Sequence, residues 1–162
     1  MPPWLAKKLV APEALSEKVA LLRREGKRIA TLNGSFDLFH AGHLFILYEA
    51  AKVADVLLVA LNSDESIRSY KGENRPIVPL NYRLELMAAI ECVDFVTWFS
   101  EPDPCALLEK VRPDVHVNGV EYGANCIEAE TVQRHGGALH LVARIPSLST
   151  SALIDRIGKL CV

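Results

Sequence analysis

Residues 27–43 read KRIATLNGSFDLFHAGH. KRIATLN has the apolar character of a buried strand, and the far end enters a helix in which Leu44, Leu47, Tyr48 and Ala51 fall on one face. Between them, Asn33-Gly34 permits a tight turn and close approach of a ligand to the backbone. A strand turning directly into a helix is the first half of a βαβ unit.

The pattern extends in both directions. Upstream, Pro12-Glu13 opens a helix with Leu15, Val19 and Leu22 at helical spacing, and Gly26 stops it. Downstream, VLLVALN after Asp55 is a continuous apolar run suited to a strand buried on both faces. SDESIRSYKGENRPIVP, residues 63–79, is polar and broken by Gly and two prolines, so it is predicted mostly as loop, loosely held for want of apolar anchors. A helix follows from Asn81, with Leu84, Met87, Ala88 and, one turn earlier, Leu80. DFVTWF gives a third strand, and Asp103-Pro104 opens another helix. Residues 114–117 give a fourth strand, and a helix over 128–135 ends at Gly136-Gly137. ALHLVAR gives a fifth strand, and Ser149-Thr150-Ser151 caps a last helix with Leu153, Ile157 and Leu160 on one face.

This alternation predicts an α/β fold, a Rossmann-like three-layer sandwich around a five-stranded parallel sheet. It is read as one domain over 1–162 with a helical N-terminal extension over about residues 1–26. Ligands of such sheets sit beyond the carboxyl ends of the strands, so the chemically active residues should follow strands.

Composition narrows the function. Half of the 162 residues are apolar, which opposes disorder. With 18 basic and 20 acidic residues the formal net charge is -2, so no global field draws nucleic acid. No apolar run is long enough to span a bilayer, and MPPWLAKKLVAPEAL lacks the apolar core and cleavage pattern of a signal peptide. The reading is a cytoplasmic protein that does not engage membranes. Cys92, Cys105, Cys126 and Cys161 form no C-x-x-C pair and are read as reduced thiols rather than a zinc site.

The chemistry concentrates after the first strand. His40 and His43 are three residues apart and share a face if the helix starts there; Gly42 between them leaves room for a bulky anion. The helix N-terminus adds unpaired N–H groups, so the stretch suits phosphate. A metal pair and simple helix capping are the alternatives; no third ligand stands at a persuasive spacing, and placement directly after a strand favours phosphate. Lys71 and Arg75, after the second strand, are placed to reach phosphate oxygens unless they belong to a solvated loop. Ser149, Thr150 and Ser151 form an N-cap, a phosphate-binding helix terminus, or both. VNGVEYG, with Asn118 and Gly119, follows the fourth strand at the same edge. Asn62-Ser63-Asp64 reads as turn chemistry. His116, His135 and His140 stand in no motif, and Trp98 and Phe99 suit a core or a subunit contact better than base stacking.

GSFDLFHAGH, residues 34–43, matches G-x-F-D-x-x-H-x-G-H and resembles the signature of cytidylyltransferase-like nucleotidyltransferases. The resemblance runs through nearly the whole chain from about residue 13. It implies that His40 and His43 contact a triphosphate and stabilise the transition state, and that Asn33, Asp37 and the backbone of Gly34, Ser35 and Phe36 shape the nucleotide pocket. KGENRPIVP resembles the K-G-x-x-R-P-x-x-P segment in the nucleotidylyltransferase domain of bacterial ADP-heptose synthases, implying a catalytic Lys71 and a phosphate-binding Arg75. Arg83 also matches, as a ligand or as a surface or inter-subunit ion pair. Ser149-Thr150-Ser151 resembles an S-T-T segment with Ser151 in the last place. VNGVEY resembles V-K-G-G-D-Y, with Asn118 in place of lysine and Val120-Glu121 in place of Gly-Asp.

The resemblance implies transfer of AMP from ATP, with Mg²⁺, to D-glycero-β-D-manno-heptose 1-phosphate, giving ADP-heptose and pyrophosphate for lipopolysaccharide or another surface glycan. It also implies a homodimer that meets through residues 83–99. The alternatives are a glycerol-3-phosphate or related cytidylyltransferase, and a non-catalytic nucleotide sensor.

Overall fold

The computed structural model describes residues 2–143 and 149–160. Five strands form one all-parallel sheet: β1 (Ile29–Gly34), β2 (Val56–Asn62), β3 (Phe95–Phe99), β4 (Val115–Gly119) and β5 (Ala138–Val142), in the order β3-β2-β1-β4-β5. β1 is central, with Ile29 opposite Val56 and Ala30 opposite Val115. The chain therefore builds outward from β1 on one side, then returns to build on the other. The gap between β1 and β4 is the switch point where parallel sheets hold their ligands.

Helices α1 (Pro3–Ala6), α2 (Leu15–Arg24), α3 (Ala41–Ala51), α4 (Asp64–Lys71), α5 (Leu80–Ala88), α6 (Cys105–Val111), α7 (Ala129–Arg134) and α8 (Thr150–Leu160) complete the described residues, with a 3₁₀ turn at Val120–Tyr122. β2 shows why two layers form. Its alternate residues Leu57, Val59 and Leu61 join a core with Leu47 of α3 and Met87 of α5. Val56, Leu58 and Ala60 join a second core with Val19 of α2, Leu108 of α6 and Val132 of α7. A strand buried on both faces must be apolar throughout, which explains the unbroken VLLVAL.

Several elements depart from the sequence reading. Residues 64–71 are helical rather than loop: Ser63 accepts from the Ser66 N–H, and the helix ends at Gly72, whose φ is 89°. The N-terminal stretch is only partly helical. Residues 8–10 run along the outer edge of β3, where Val10 N–H donates to Val96 O and Val96 N–H to Lys8 O. This covers an edge strand that would otherwise offer unpaired backbone groups. In α3 the buried residues are Leu47 and Ala50, while Tyr48 faces solvent. α8 buries none of its residues; Ile157 and Leu160 are exposed. Phe99 is in the core and Trp98 packs partly against the other core, so they form no surface patch.

His116, on β4, is fully buried; its Nδ1 lies 2.8 Å from Thr31 Oγ1, and its Nε2 has no partner among the described residues. Burial lowers its pKa to about 4. Above pH 6.5 the ring is neutral in both the folded and unfolded chain. Between pH 6.5 and 4 the unfolded chain takes up a proton that the folded chain refuses, so folding stability falls as pH falls, by about 1.4 kcal/mol per pH unit. His116→Gln should flatten this slope; thermal unfolding of both proteins from pH 7 to pH 4 measures it.

Candidate active site

The carboxyl ends of β1 and β4 open into a cavity of about 270 Å³. Asn33 and Gly34 line it from β1, His40, Gly42 and His43 from the start of α3, and Asn118 and Gly119 from β4. Lys71 at the end of α4 and Ser149, Thr150 and Ser151 at the start of α8 close it. The expectation that active residues follow strands therefore holds, and residues from four separate stretches converge.

His40 is the N-cap of α3. Its Nδ1 accepts from the N–H of Gly42 at 3.1 Å and of His43 at 3.4 Å; His43 Nδ1 accepts in turn from the His40 N–H at 3.3 Å. This reciprocal arrangement corrects one expectation. The amides of Gly42 and His43, expected to serve an anion, are engaged by His40. The same bonds set the tautomer: an Nδ1 that accepts leaves the neutral ring's proton on Nε2, as a donor. The two rings stack at 3.8 Å with an 18° tilt, and Phe36 and Phe39 flank His43. Burial, then the neighbouring His40 and Lys71, lowers the His43 pKa to about 4. Near neutrality His43 is thus an uncharged hydrogen-bond donor held in one orientation.

Phe36 sits at φ 45°, in the left-handed region, with its side chain buried. Its ring occupies the space beside Gly34: a Cβ there would meet Phe36 Cε2 at 3.2 Å. Gly34 thus serves ring packing as well as approach to the cavity.

Asp37 is buried and accepts from the backbone N–H groups of Ile77 and Val78 at 2.9 and 2.8 Å, and from Arg75 Nε at 2.7 Å. Burial works against its ionisation, but these donors together hold its pKa below the usual value. One expectation changes and another gains a second role: Asp37 lines the cavity and also pins residues 75–78, while Arg75 is spent on Asp37 and does not line the cavity. The segment expected to be loosely held is tied down by polar contacts instead of apolar ones.

Arg83 is the residue least well read from sequence. It is 1% exposed and donates to the carbonyls of Val78, Ser35 and Asn62 and to the Asp64 carboxylate at 2.7–2.9 Å. It is neither a surface ion pair nor a ligand in this arrangement. It fastens the ends of β1 and β2 to α4 and to the segment before α5. Asp64, read as turn chemistry, is its counter-ion.

Lys71 Nζ donates to Ser35 Oγ at 2.9 Å, and Ser35 Oγ lies 2.9 Å from the Tyr70 hydroxyl. Burial, followed by the positive charge of Arg75, lowers the Lys71 pKa. Lys71 is the cation that both faces the histidines and sits on a helix end. Ser149 Oγ accepts from the Ala152 N–H at 3.1 Å, so it is the N-cap, while Thr150 and Ser151 line the cavity beside it. Asn118 is buried and its Oδ1 accepts from Gly119 N–H at 3.0 Å. Glu121 also lines the cavity and packs over Gly119, where any Cβ would collide with it. Cys92, Cys105 and Cys126 are free thiols; Cys161 and residues 146–148 lie outside the described residues. Among the described residues no three His, Cys, Asp or Glu side chains group as metal ligands, and no helix is long and apolar enough to cross a membrane.

A cytidylyltransferase-like family model matches residues 31–154, the span that contains this whole site. The chain belongs to the cytidylyltransferase-like family. It is a nucleotidyltransferase. As a cytidylyltransferase-like protein it is 39% identical to "Bifunctional protein HldE" of Geobacter sulfurreducens over 91% of this chain and 30% of that protein. It is 43% identical to the protein of that name from Koribacter versatilis, over 92% of this chain and 31% of that one. The chain thus spans about a third of the length of these curated relatives. Among solved structures, the lipopolysaccharide core biosynthesis protein from Thermoplasma volcanium is similar, with TM-score 0.60 and 29% identity over 74% of this chain and 98% of that one.

Lys71→Ala should leave folding nearly unchanged, because the side chain makes one partly exposed hydrogen bond to Ser35. It should raise the KM for the nucleoside triphosphate by about tenfold or more, as expected for losing a charged contact. Steady-state kinetics with parallel thermal unfolding check this, and unchanged triphosphate kinetics would make Lys71 a bystander.

Proposed function

We propose that this nucleotidyltransferase moves AMP from ATP to D-glycero-β-D-manno-heptose 1-phosphate, forming ADP-heptose and pyrophosphate. The observation that carries the reading is the paired His40 and His43, oriented by each other's backbone to present Nε2–H donors beside Lys71. The likeness of the 71–79 segment to ADP-heptose synthases, and the relatives named HldE, support the sugar.

In this mechanism an oxygen of the sugar phosphate attacks the α-phosphorus of ATP in line. A new P–O bond forms, the bond to the β-phosphate bridging oxygen breaks, and its electron pair leaves with pyrophosphate. No covalent nucleotidylyl-enzyme intermediate is needed. The rate arises from positioning and from donors aimed at charge growing on the leaving group. His40 and His43 donate from one side and Lys71 supplies positive charge. Thr150 and Ser151 offer hydroxyls at the start of α8. Mg²⁺ arrives with ATP as part of the substrate, consistent with its preference for phosphate oxygens and water. The Glu121 carboxylate beside Gly119 is placed to accept hydroxyls of the nucleotide.

The test is a matched comparison of ATP and CTP against heptose 1-phosphate and glycerol 3-phosphate. The reading expects the highest kcat/KM for ATP with heptose 1-phosphate. Faster cytidylyl transfer to glycerol 3-phosphate would replace the substrate and retain the His40/His43 chemistry. We also propose a homodimer through the 83–99 stretch, where Leu86 is exposed on α5. Light scattering that finds only monomer at assay concentration would overturn it.

A further inference from the structure

The ladder between β1 and β4 is the shortest in the sheet. It has three registered pairs, Ala30–Val115, Thr31–His116 and Leu32–Val117, against six between β1 and β2 and five at each outer junction. Beyond Leu32 and Val117 the two strands part. β1 stays with β2 as far as Gly34, and β4 stays with β5 as far as Gly119. The active-site cavity opens at that parting, lined by Asn33 and Gly34 from one strand and Asn118 and Gly119 from the other. On the β2 side, Arg83 fastens the end of β1 through the Ser35 and Asn62 carbonyls. On the β4 side a side-chain tie lies just below the cavity, where Thr31 Oγ1 and His116 Nδ1 are 2.8 Å apart. Both residues are buried, and neither lines the cavity. They stand in a row that runs in register across all five strands: Phe95, Leu58, Thr31, His116, Leu139. The other three members are apolar and belong to the second core or pack against it. A polar pair in that row costs folding energy, because His116 Nε2 has no partner among the described residues. Two apolar side chains of similar volume would fill the row without that cost. A costly polar pair at the shortest ladder, directly beneath the site, calls for a function.

We infer that Thr31 and His116 are positioning residues for the transfer reaction: their bond sets the spacing of β1 and β4 where the strands part, and so the placement of Asn33 and Gly34 relative to Asn118 and Gly119. Residues two apart on a strand share a face, so Asn33 and Asn118 stand on the same face as the pair, one step nearer the cavity. A change in the spacing passes to both walls of the cavity and to the chain that leads from β1 into His40 and His43. The inference rests on the nucleotidyl-transfer reading and adds to it two residues that touch no substrate.

The test uses the double variant Thr31→Val/His116→Leu, which removes both partners and leaves no orphaned polar group. Its thermal stability should match or exceed that of the unmodified protein, as when both members of a buried hydrogen bond become apolar. Its kcat should nonetheless fall by about tenfold, with the KM for ATP within about threefold, the pattern of reactants that are bound but misplaced. A role in packing alone gives the reverse, altered stability with an unchanged kcat. Thr31→Ser, which keeps the hydroxyl, should recover most of the turnover that Thr31→Val loses. Should the double variant not fold, Thr31→Val against Thr31→Ser carries the same kcat comparison. In the free protein, amide hydrogen exchange at Gly34 and Gly119 should be about tenfold faster in the double variant, since the strand ends open more readily. A folded double variant with kcat within about twofold of the unmodified protein, or with unchanged exchange at both glycines, overturns the inference. If the unmodified protein releases no pyrophosphate from ATP or CTP with any sugar or polyol phosphate, the transfer reading fails by itself. Exchange at the two glycines then still decides whether the pair holds the strands.

Discussion

His43→Ala should lower kcat by about 10²–10³, the usual loss for one donor aimed at transition-state charge. The far-UV spectrum and cooperative unfolding should persist, since His43 belongs to neither hydrophobic core and only its ring face meets Phe36 of the first. The effect should be on kcat more than on the KM for ATP, because the donor meets charge that grows on the leaving phosphate. With a pKa of about 4, His43 is neutral throughout the physiological range, so kcat should show no inflection near pH 6.5 from this residue. An inflection there that disappears in His43→Ala would mean that the ring works as a proton donor or acceptor instead. Near-normal turnover in the variant would remove His43 from the mechanism.

The second large effect is on folding. Arg83→Leu should destabilise the protein by about 3–5 kcal/mol, the cost of removing one partner from a buried charged network. Three backbone carbonyls and the Asp64 carboxylate would lose their donor. That loss is a large share of the about 5–15 kcal/mol that holds a typical domain together. Activity should fall as well, because Arg83 fixes the Ser35 carbonyl, next to Gly34 in the cavity wall. Arg83→Lys should recover only part of the stability, since an ammonium group cannot present the same planar fork. Urea unfolding measures both; a loss below about 1 kcal/mol for the leucine variant would show that the network adds little.

The fold was legible where local pattern and burial agree. VLLVALN announces a doubly buried strand, and Gly26 marks the end of α2 by its φ of 71°. The H-x-G-H pair was legible because the relevant geometry is local: the N-cap and the third residue of one helix face each other. α4 was missed although its signals were present. Ser63 is its cap, Asp64 and Glu65 fill the first turn, and Arg68 and Lys71 the last. The glycine and prolines that suggested loop act only from Gly72 onward. The exposed face of α8 was equally hidden, since apolar spacing does not say whether a partner surface exists.

Arg83 and Asp37 show a different limit. Each is surrounded by backbone groups from distant stretches: Arg83 reaches 48 residues back to Ser35, and Asp37 meets N–H groups 40 and 41 residues on. Nothing in the neighbouring sequence marks a charged residue whose partners are main-chain atoms brought together by the sheet.

The most direct test of the account is pyrophosphate release by the purified protein with MgATP, with and without heptose 1-phosphate, while the nucleotide sugar is followed by mass spectrometry. The account predicts release that depends on the sugar phosphate, matches ADP-heptose mole for mole, and falls by about 10²–10³ in His43→Ala. Tight nucleotide binding without pyrophosphate release, from either ATP or CTP with any sugar or polyol phosphate, would contradict it.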